Sequence, residues 1–71
     1  MCGIVAYNGS REAYPIVLNG LKRLEYRGYD STGICIVNGE PFIKKRRGKV
    51  ADLESSINNA PIKGTIGMGH T

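Results

Sequence analysis

Thr32-Gly33-Ile34-Cys35-Ile36-Val37-Asn38-Gly39-Glu40-Pro41-Phe42-Ile43-Lys44-Lys45-Arg46-Arg47 is the stretch that decides the fold. Its first half is rich in β-branched residues and predicts a strand over Thr32–Val37. Asn38-Gly39 is a hairpin signal, because a two-residue turn needs positive φ and these residues tolerate it. Phe42 to Arg47 then returns as the antiparallel partner. A hairpin makes at least part of the sheet antiparallel. The basic end, Lys44 to Arg47 with Lys49, reads as a solvated edge strand whose charges block edge-to-edge pairing. It lacks the interleaved aromatics of a nucleic-acid surface.

Working outward, Cys2 to Tyr7 is strand-like and Asn8-Gly9-Ser10 is turn chemistry, with Ser10 expected to cap a helix. Pro15 suits a first helical turn, where its missing N–H costs nothing. Tyr14, Val17, Leu18, Leu21 and Leu24 fall on one helical face, while Lys22, Arg23 and Glu25 are expected to point away. Gly20 costs that helix about 1 kcal/mol relative to alanine. Gly28 is a candidate left-handed terminator. After the hairpin, Gly48 breaks the run. Val50, Leu53 and Ile57, with Glu54, predict a shorter helix over Lys49–Asn58, ended by Asn59-Ala60-Pro61. Thr65 to His70 reads as a glycine-rich strand. The order β-α-β-β-α-β defines class α+β. Element order alone points to a ferredoxin-like split unit.

A chain of 71 residues makes at most one small domain. Such a chain rarely buries a core worth more than about 3–5 kcal/mol without staples. Cys2 and Cys35 could form one bridge at most, so a reducing, cytoplasmic setting is expected; Cys35, in an apolar strand, is expected in the core. No secretory leader is read at the N-terminus. No apolar run nears the roughly 18 residues of a membrane span. The net charge of +4 is modest, and neither nucleic acid nor membrane is expected as a partner. His70 is the only histidine, so neither a metal nor another cofactor is expected. An apolar strand pattern still runs through Gly67-Met68-Gly69-His70-Thr71, so the chain is expected to be the opening part of a longer protein. Alone, its strands near Ile36 and Ile66 are expected to present open edges and an uncovered apolar face.

The chemistry concentrates at the start, Met1-Cys2-Gly3-Ile4-Val5. If Met1 is removed, Cys2 carries a thiol and a free α-amine on one carbon. The thiol titrates near about 8.5 and the amine near about 7.7–8.0, so the amine can take the thiol's proton. Gly3 leaves the backbone open to close approach. Taken alone, Cys2 reads first as a small buried residue near the start of the chain. The stretch Leu24-Glu25-Tyr26-Arg27-Gly28-Tyr29-Asp30-Ser31 also has two readings. It is either a loop folded back onto the terminus, with Arg27 and Asp30 fixing Cys2, or a helix end with a solvated ion pair worth little.

Together, Met-Cys-Gly-Ile-Val, Leu21-Lys22-Arg23-Leu24-Glu25-Tyr26-Arg27-Gly28-Tyr29-Asp30-Ser31 and Gly67-Met68-Gly69-His70-Thr71 resemble the N-terminal glutaminase domain of the class II glutamine amidotransferases, which are N-terminal-nucleophile hydrolases. The resemblance runs over essentially the whole chain. Tyr-Arg-Gly-Tyr-Asp-Ser is the discriminating block, since the related amidophosphoribosyltransferases usually carry His-Arg-Gly-Gln-Asp there. It favours the branch whose second domain converts fructose 6-phosphate to glucosamine 6-phosphate, with amidophosphoribosyltransferase, asparagine synthetase or a small basic binding module as alternatives. The family implies an αββα sandwich of antiparallel sheets, of which this chain would be the N-terminal portion. It implies L-glutamine as substrate, Cys2 as nucleophile, and Gly3, Arg27, Gly28 and Asp30 as the supporting loop. His70 and Thr71 would lie near the glutamine site. A homo-oligomer is implied for the whole protein. In the family the next residues, Arg-Trp, the oxyanion-hole Asn-Gly pair and the α-amine-reading aspartate lie further on than these 71 residues, so the segment alone is expected to be inactive.

Overall fold

The computed structural model describes residues 3–25, 31–57 and 62–71. Strand β1 is Ile4–Asn8, helix α1 Ala13–Leu24, strand β2 Ser31–Asn38, strand β3 Glu40–Arg47, helix α2 Val50–Ile57 and strand β4 Ile66–His70. The class is α+β, with the element order read from the sequence. The hairpin forms, with Thr32 opposite Arg46, Ile36 opposite Phe42 and Asn38 opposite Glu40; the turn is tighter than the two-residue one expected, since Asn38 is itself paired and Gly39 alone has positive φ. Gly39 turns the chain at φ 79°, a conformation that glycine adopts without penalty.

The four strands form one sheet in the order β1-β4-β2-β3, and every pairing is antiparallel. This is not the ferredoxin-like order, in which β1 and β3 are the inner strands. Here β4 and β2 are inner, and β1 and β3 are the edges. Charge and side-chain bulk account for the difference. β3 carries Lys44, Lys45, Arg46 and Arg47, which stay hydrated only at an edge. β4 instead offers bare backbone to α1. A Cβ on Gly67 would lie 2.7 Å from Ile36 Cδ1 and 3.0 Å from Ala13 Cβ. One on Gly69 would lie 2.8 Å from both Leu21 Cδ1 and Val17 Cγ1. The helix therefore seats directly on the central strand. For the same reason the strands holding Ile36 and Ile66 show no open edge, contrary to expectation.

Both helices cover one face of the sheet. Ala13, Val17, Leu18 and Leu21 of α1 meet Ile34 and Ile36 of β2 and Val50, Leu53 and Ile57 of α2 in one buried core. The opposite face is open, with Ile4 72%, Ile43 60%, Met68 53% and Ile66 46% exposed. One helix layer on one sheet with a bare apolar back is the arrangement of the leading portion of an αββα sandwich. Cys35 lies on this open side, half-buried rather than in the core. It stands opposite Ile43 and Met68, because the period-two alternation that buries Ile34 and Ile36 turns it outward.

The ends of α1 also differ from expectation. Ser10 does not cap it; Glu12 holds the cap position without bonding its own helix. Glu12 Oε2 instead accepts the Gly64 N–H at 2.9 Å, and the Ala13 N–H donates to the Gly64 carbonyl at 2.7 Å. Pro15 sits in the first turn as expected. Lys22 pairs with Glu54 at 2.9 Å, joining the two helices. Glu25 does not point to water: its Oε2 accepts the Val50 N–H at 2.7 Å. Gly28 and the end expected for α2 at Asn59-Ala60-Pro61 lie outside the described residues.

Candidate active site

Four chain segments reach one end of the sheet. β1 begins there and β4 ends there, with Ile4 opposite His70. β2 starts at the same end, and its Gly33 also faces His70. Beyond the last strand pair, the Thr71 N–H donates to the Gly3 carbonyl at 3.0 Å. The last turn of α1 closes over this end. A Cβ on Gly20 would meet Val5 Cγ1 at 2.8 Å, and one on Gly3 would meet Leu24 Cδ1 at 2.7 Å. The backbone next to Cys2 is thus held by a ladder bond on one side and by the Leu24 side chain on the other. Leu24 fills the space a Gly3 side chain would need, so the bareness of Gly3 serves packing against α1.

Of the residues expected at the site, Gly3, His70 and Thr71 are described, and they come together. Cys2, Arg27, Gly28 and Asp30 lie outside the described residues. Both flanks of Tyr26–Asp30 are described: Leu24 touches the Gly3 position, and Ser31 opens β2 at the same end.

His70 projects from the open face. Its row across the sheet runs Ile4, His70, Gly33, Lys45. The ring occupies room that Gly33 leaves, since a Cβ there would lie 2.6 Å from His70 Nε2. His70, Lys45, Cys35 and Met68 line a shallow hollow of ≈ 310 Å³. An imidazole and an ammonium there can donate hydrogen bonds to a carbonyl or an anion. Among the described residues no group of three or more His, Cys, Asp or Glu side chains could hold a metal ion.

The phenol of Tyr14, in the first turn of α1 and so at the far end of that helix, has a raised pKa. Burial pushes it up, the Glu54 carboxylate adds to the effect, and Lys22 opposes it.

Sequence reasoning did not identify the contact of Leu24 with Gly3, nor the reach of Glu25 to Val50. The second had a signal. α2 is preceded by Lys49, whose ammonium cannot accept a bond from the helix's first N–H groups. The local carboxylate, Asp52, takes the Lys49 N–H at 3.0 Å, and the buried Val50 N–H then calls for a remote acceptor.

No protein-family model matches the chain. Comparison with individual proteins is informative. A glutamine–fructose-6-phosphate aminotransferase (isomerizing) of Bacteroides thetaiotaomicron is 52% identical over 73 residues, spanning 100% of this chain. Proteins of the same name from Caldanaerobacter subterraneus subsp. tengcongensis and Symbiobacterium thermophilum are 54% and 50% identical over 72 residues. The chain spans 12% of the length of each of these relatives. With its α+β sheet and helix layer, the chain belongs to the class II glutamine amidotransferases, the N-terminal-nucleophile hydrolase class. Within that class its family is that of the glutamine–fructose-6-phosphate aminotransferases (isomerizing), and it corresponds to their N-terminal part.

Proposed function

We propose that these residues open a type-2 glutamine amidotransferase domain and supply its nucleophile. In the whole protein, that domain would hydrolyse glutamine and pass ammonia to sugar-isomerase domains converting fructose 6-phosphate to glucosamine 6-phosphate. The observation that carries the reading is the bond from Thr71 N–H to the Gly3 carbonyl at 3.0 Å. It brings the residue after Cys2 against the His-Thr block, two of the three motifs on which the resemblance rests. Leu24 and Ser31, both members of the third, lie at the same end.

The chemistry follows from Cys2 as a terminal residue. Loss of Met1 frees the α-amine, which takes the thiol proton. The thiolate attacks the side-chain amide carbon of glutamine. The ammonium passes its proton to the leaving nitrogen, ammonia departs, and a γ-glutamyl thioester remains. The amine then takes a proton from water, hydroxide adds to the thioester carbon, and glutamate leaves as the thiol is restored. Arg27, with a planar fork of donors, would hold backbone carbonyls around the nucleophile. A first strand stitched to β4 and packed under Leu24 is the rigid base this requires. Kept in place, Met1 would acylate the Cys2 nitrogen and remove the base.

The test is glutamate release from glutamine by the whole protein. Cys2→Ala is expected to abolish it. Cys35→Ala, a change on the open face of β2, is expected to leave it largely intact. Hydrolysis surviving in Cys2→Ala would overturn the reading.

A further inference from the structure

α1 ends with its cap at Glu25 and β2 begins at Ser31, on either side of Tyr26–Asp30. Both flanks are tied to one short junction, Arg47-Gly48-Lys49-Val50, between β3 and α2. On the incoming side, Glu25 is still helical, at φ −62° and ψ −25°, and its N–H bonds the Leu21 carbonyl. Its carboxylate then accepts the Val50 N–H at 2.7 Å, 25 residues away. Val50 is fully buried at 0% exposure, so without Glu25 that N–H would lose its partner away from water. A carboxylate is also the favoured charge at a helix start. On the outgoing side, Ser31 pairs with Arg47. The buried Thr32 hydroxyl donates to the Gly48 carbonyl at 3.4 Å.

The junction is itself built to hold a shape. Gly48 has φ 102°, where other residues are strained. A Cβ on it would lie 2.7 Å from Asp52 Oδ2. That same oxygen accepts the Lys49 N–H at 3.0 Å. The sequence therefore spends a glycine, a reaching aspartate, a remote glutamate and a buried threonine on one turn.

We infer that Gly48–Val50 is a clasp that fixes the end of α1 and the start of β2, with Glu25 and Thr32 as positioning residues for glutamine hydrolysis. The inference rests on the glutaminase reading given above. Neither side chain is assigned a contact with substrate. They act by fixing the end of α1, whose Leu24 packs at Gly3, and the start of β2, whose Gly33 faces His70.

The experiment uses the whole protein and reads kcat and KM for glutamate release from glutamine. Glu25→Ala is expected to lower kcat about tenfold or more with KM little changed, since small misplacements of positioned groups are costly in rate. Glu25→Gln, which keeps an acceptor oxygen, restores most of the loss. Thr32→Val, close in volume but without the hydroxyl, lowers kcat in the same direction, and Thr32→Ser restores it. Glu12→Ala is the control. It removes a comparable tether, the bond from Gly64 N–H at 2.9 Å, at the opposite end of α1, and leaves kcat near the parent value. Should Glu25→Ala fail to fold, the Thr32 pair carries the test. Unchanged kcat in Glu25→Ala and Thr32→Val overturns the clasp, as does an equal loss in Glu12→Ala. Cys2→Ala separates the two levels. If it still hydrolyses glutamine, the glutaminase reading fails; if it is inactive while the clasp variants are fully active, only the clasp fails.

Discussion

Gly69→Ala would press on the contact that sets the helix layer on the sheet. The new Cβ would stand 2.8 Å from Val17 Cγ1 and from Leu21 Cδ1, and 3.2 Å from the Gly33 carbonyl oxygen. Carbon pairs prefer about 3.5–4.0 Å, so α1 and β4 must separate by most of an ångström or the side chains must leave their rotamers. Neither escape is easy. Val17 and Leu21 are both at 0% exposure, and a β-branched valine in a helix has one strongly preferred rotamer. Overpacking of this kind costs about 1–3 kcal/mol, and the two-sided clash places Gly69→Ala in the upper half of that range. Two comparisons isolate the cause. Gly33→Ala meets only the ring of exposed His70, at 2.6 Å from Nε2, and the Lys45 stem at 3.3 Å, groups that can swing aside, so it should cost well under half as much. Val17→Ala removes two buried carbons, roughly 1.6 kcal/mol at 0.8 per CH₂. Combined with Gly69→Ala it should cost less than the sum of the single changes by about 1 kcal/mol, within the usual coupling of touching residues. Denaturant and thermal unfolding of the four variants measure this. Equal costs for Gly69→Ala and Gly33→Ala, or strict additivity with Val17→Ala, would refute the direct seating of α1 on β4.

Three further outcomes are expected. Arg27→Lys keeps the charge and loses the planar fork, so glutamine turnover in the whole protein should fall substantially; full activity would show that Arg27 supplies charge alone. Tyr14 keeps its proton longer folded than unfolded, so its contribution to stability is whole below the usual phenol value near ~10 and is lost as pH rises through the higher folded value. Glu54→Gln should bring its titration down but not fully, because burial is the larger cause; an unmoved tyrosinate absorbance would contradict the Glu54 contribution. Residues Met1–Thr71 on their own should release no glutamate and should sediment as species larger than 7.7 kDa, driven by the bare face of Ile4, Ile43, Ile66 and Met68; a compact active monomer would mean the rest of the domain is dispensable.

The elements were legible in the sequence because their signals are local. Asn38-Gly39 sets the hairpin, and the spacing of Val17, Leu18 and Leu21 sets α1. The order of strands was not, because it depends on competition for the gap between β1 and β2. That gap is filled by Gly67 and Gly69 accepting a helix and by Lys44 to Arg47 refusing one. Neither fact is periodic. Cys35 was misplaced for a related reason: in an unbroken apolar run, both faces look buried. At the site, Gly3, His70 and Thr71 could be named from motifs, but Leu24, Glu25 and Thr32 could not. Their roles arise from contacts across the fold, such as the 25-residue reach from Glu25 to Val50.

The central claim is that Cys2, freed of Met1, is the nucleophile at the corner formed by Gly3, Leu24 and Thr71. Treating the active whole protein with a glutamine analogue that carries an electrophile at its side-chain carbon, then mapping the modified peptide by mass, tests it most directly. The account predicts a single adduct on Cys2 in a peptide that begins at Cys2, with activity lost in proportion to labelling. An adduct on Cys35, or a fully active protein whose first peptide still begins at Met1, would contradict it.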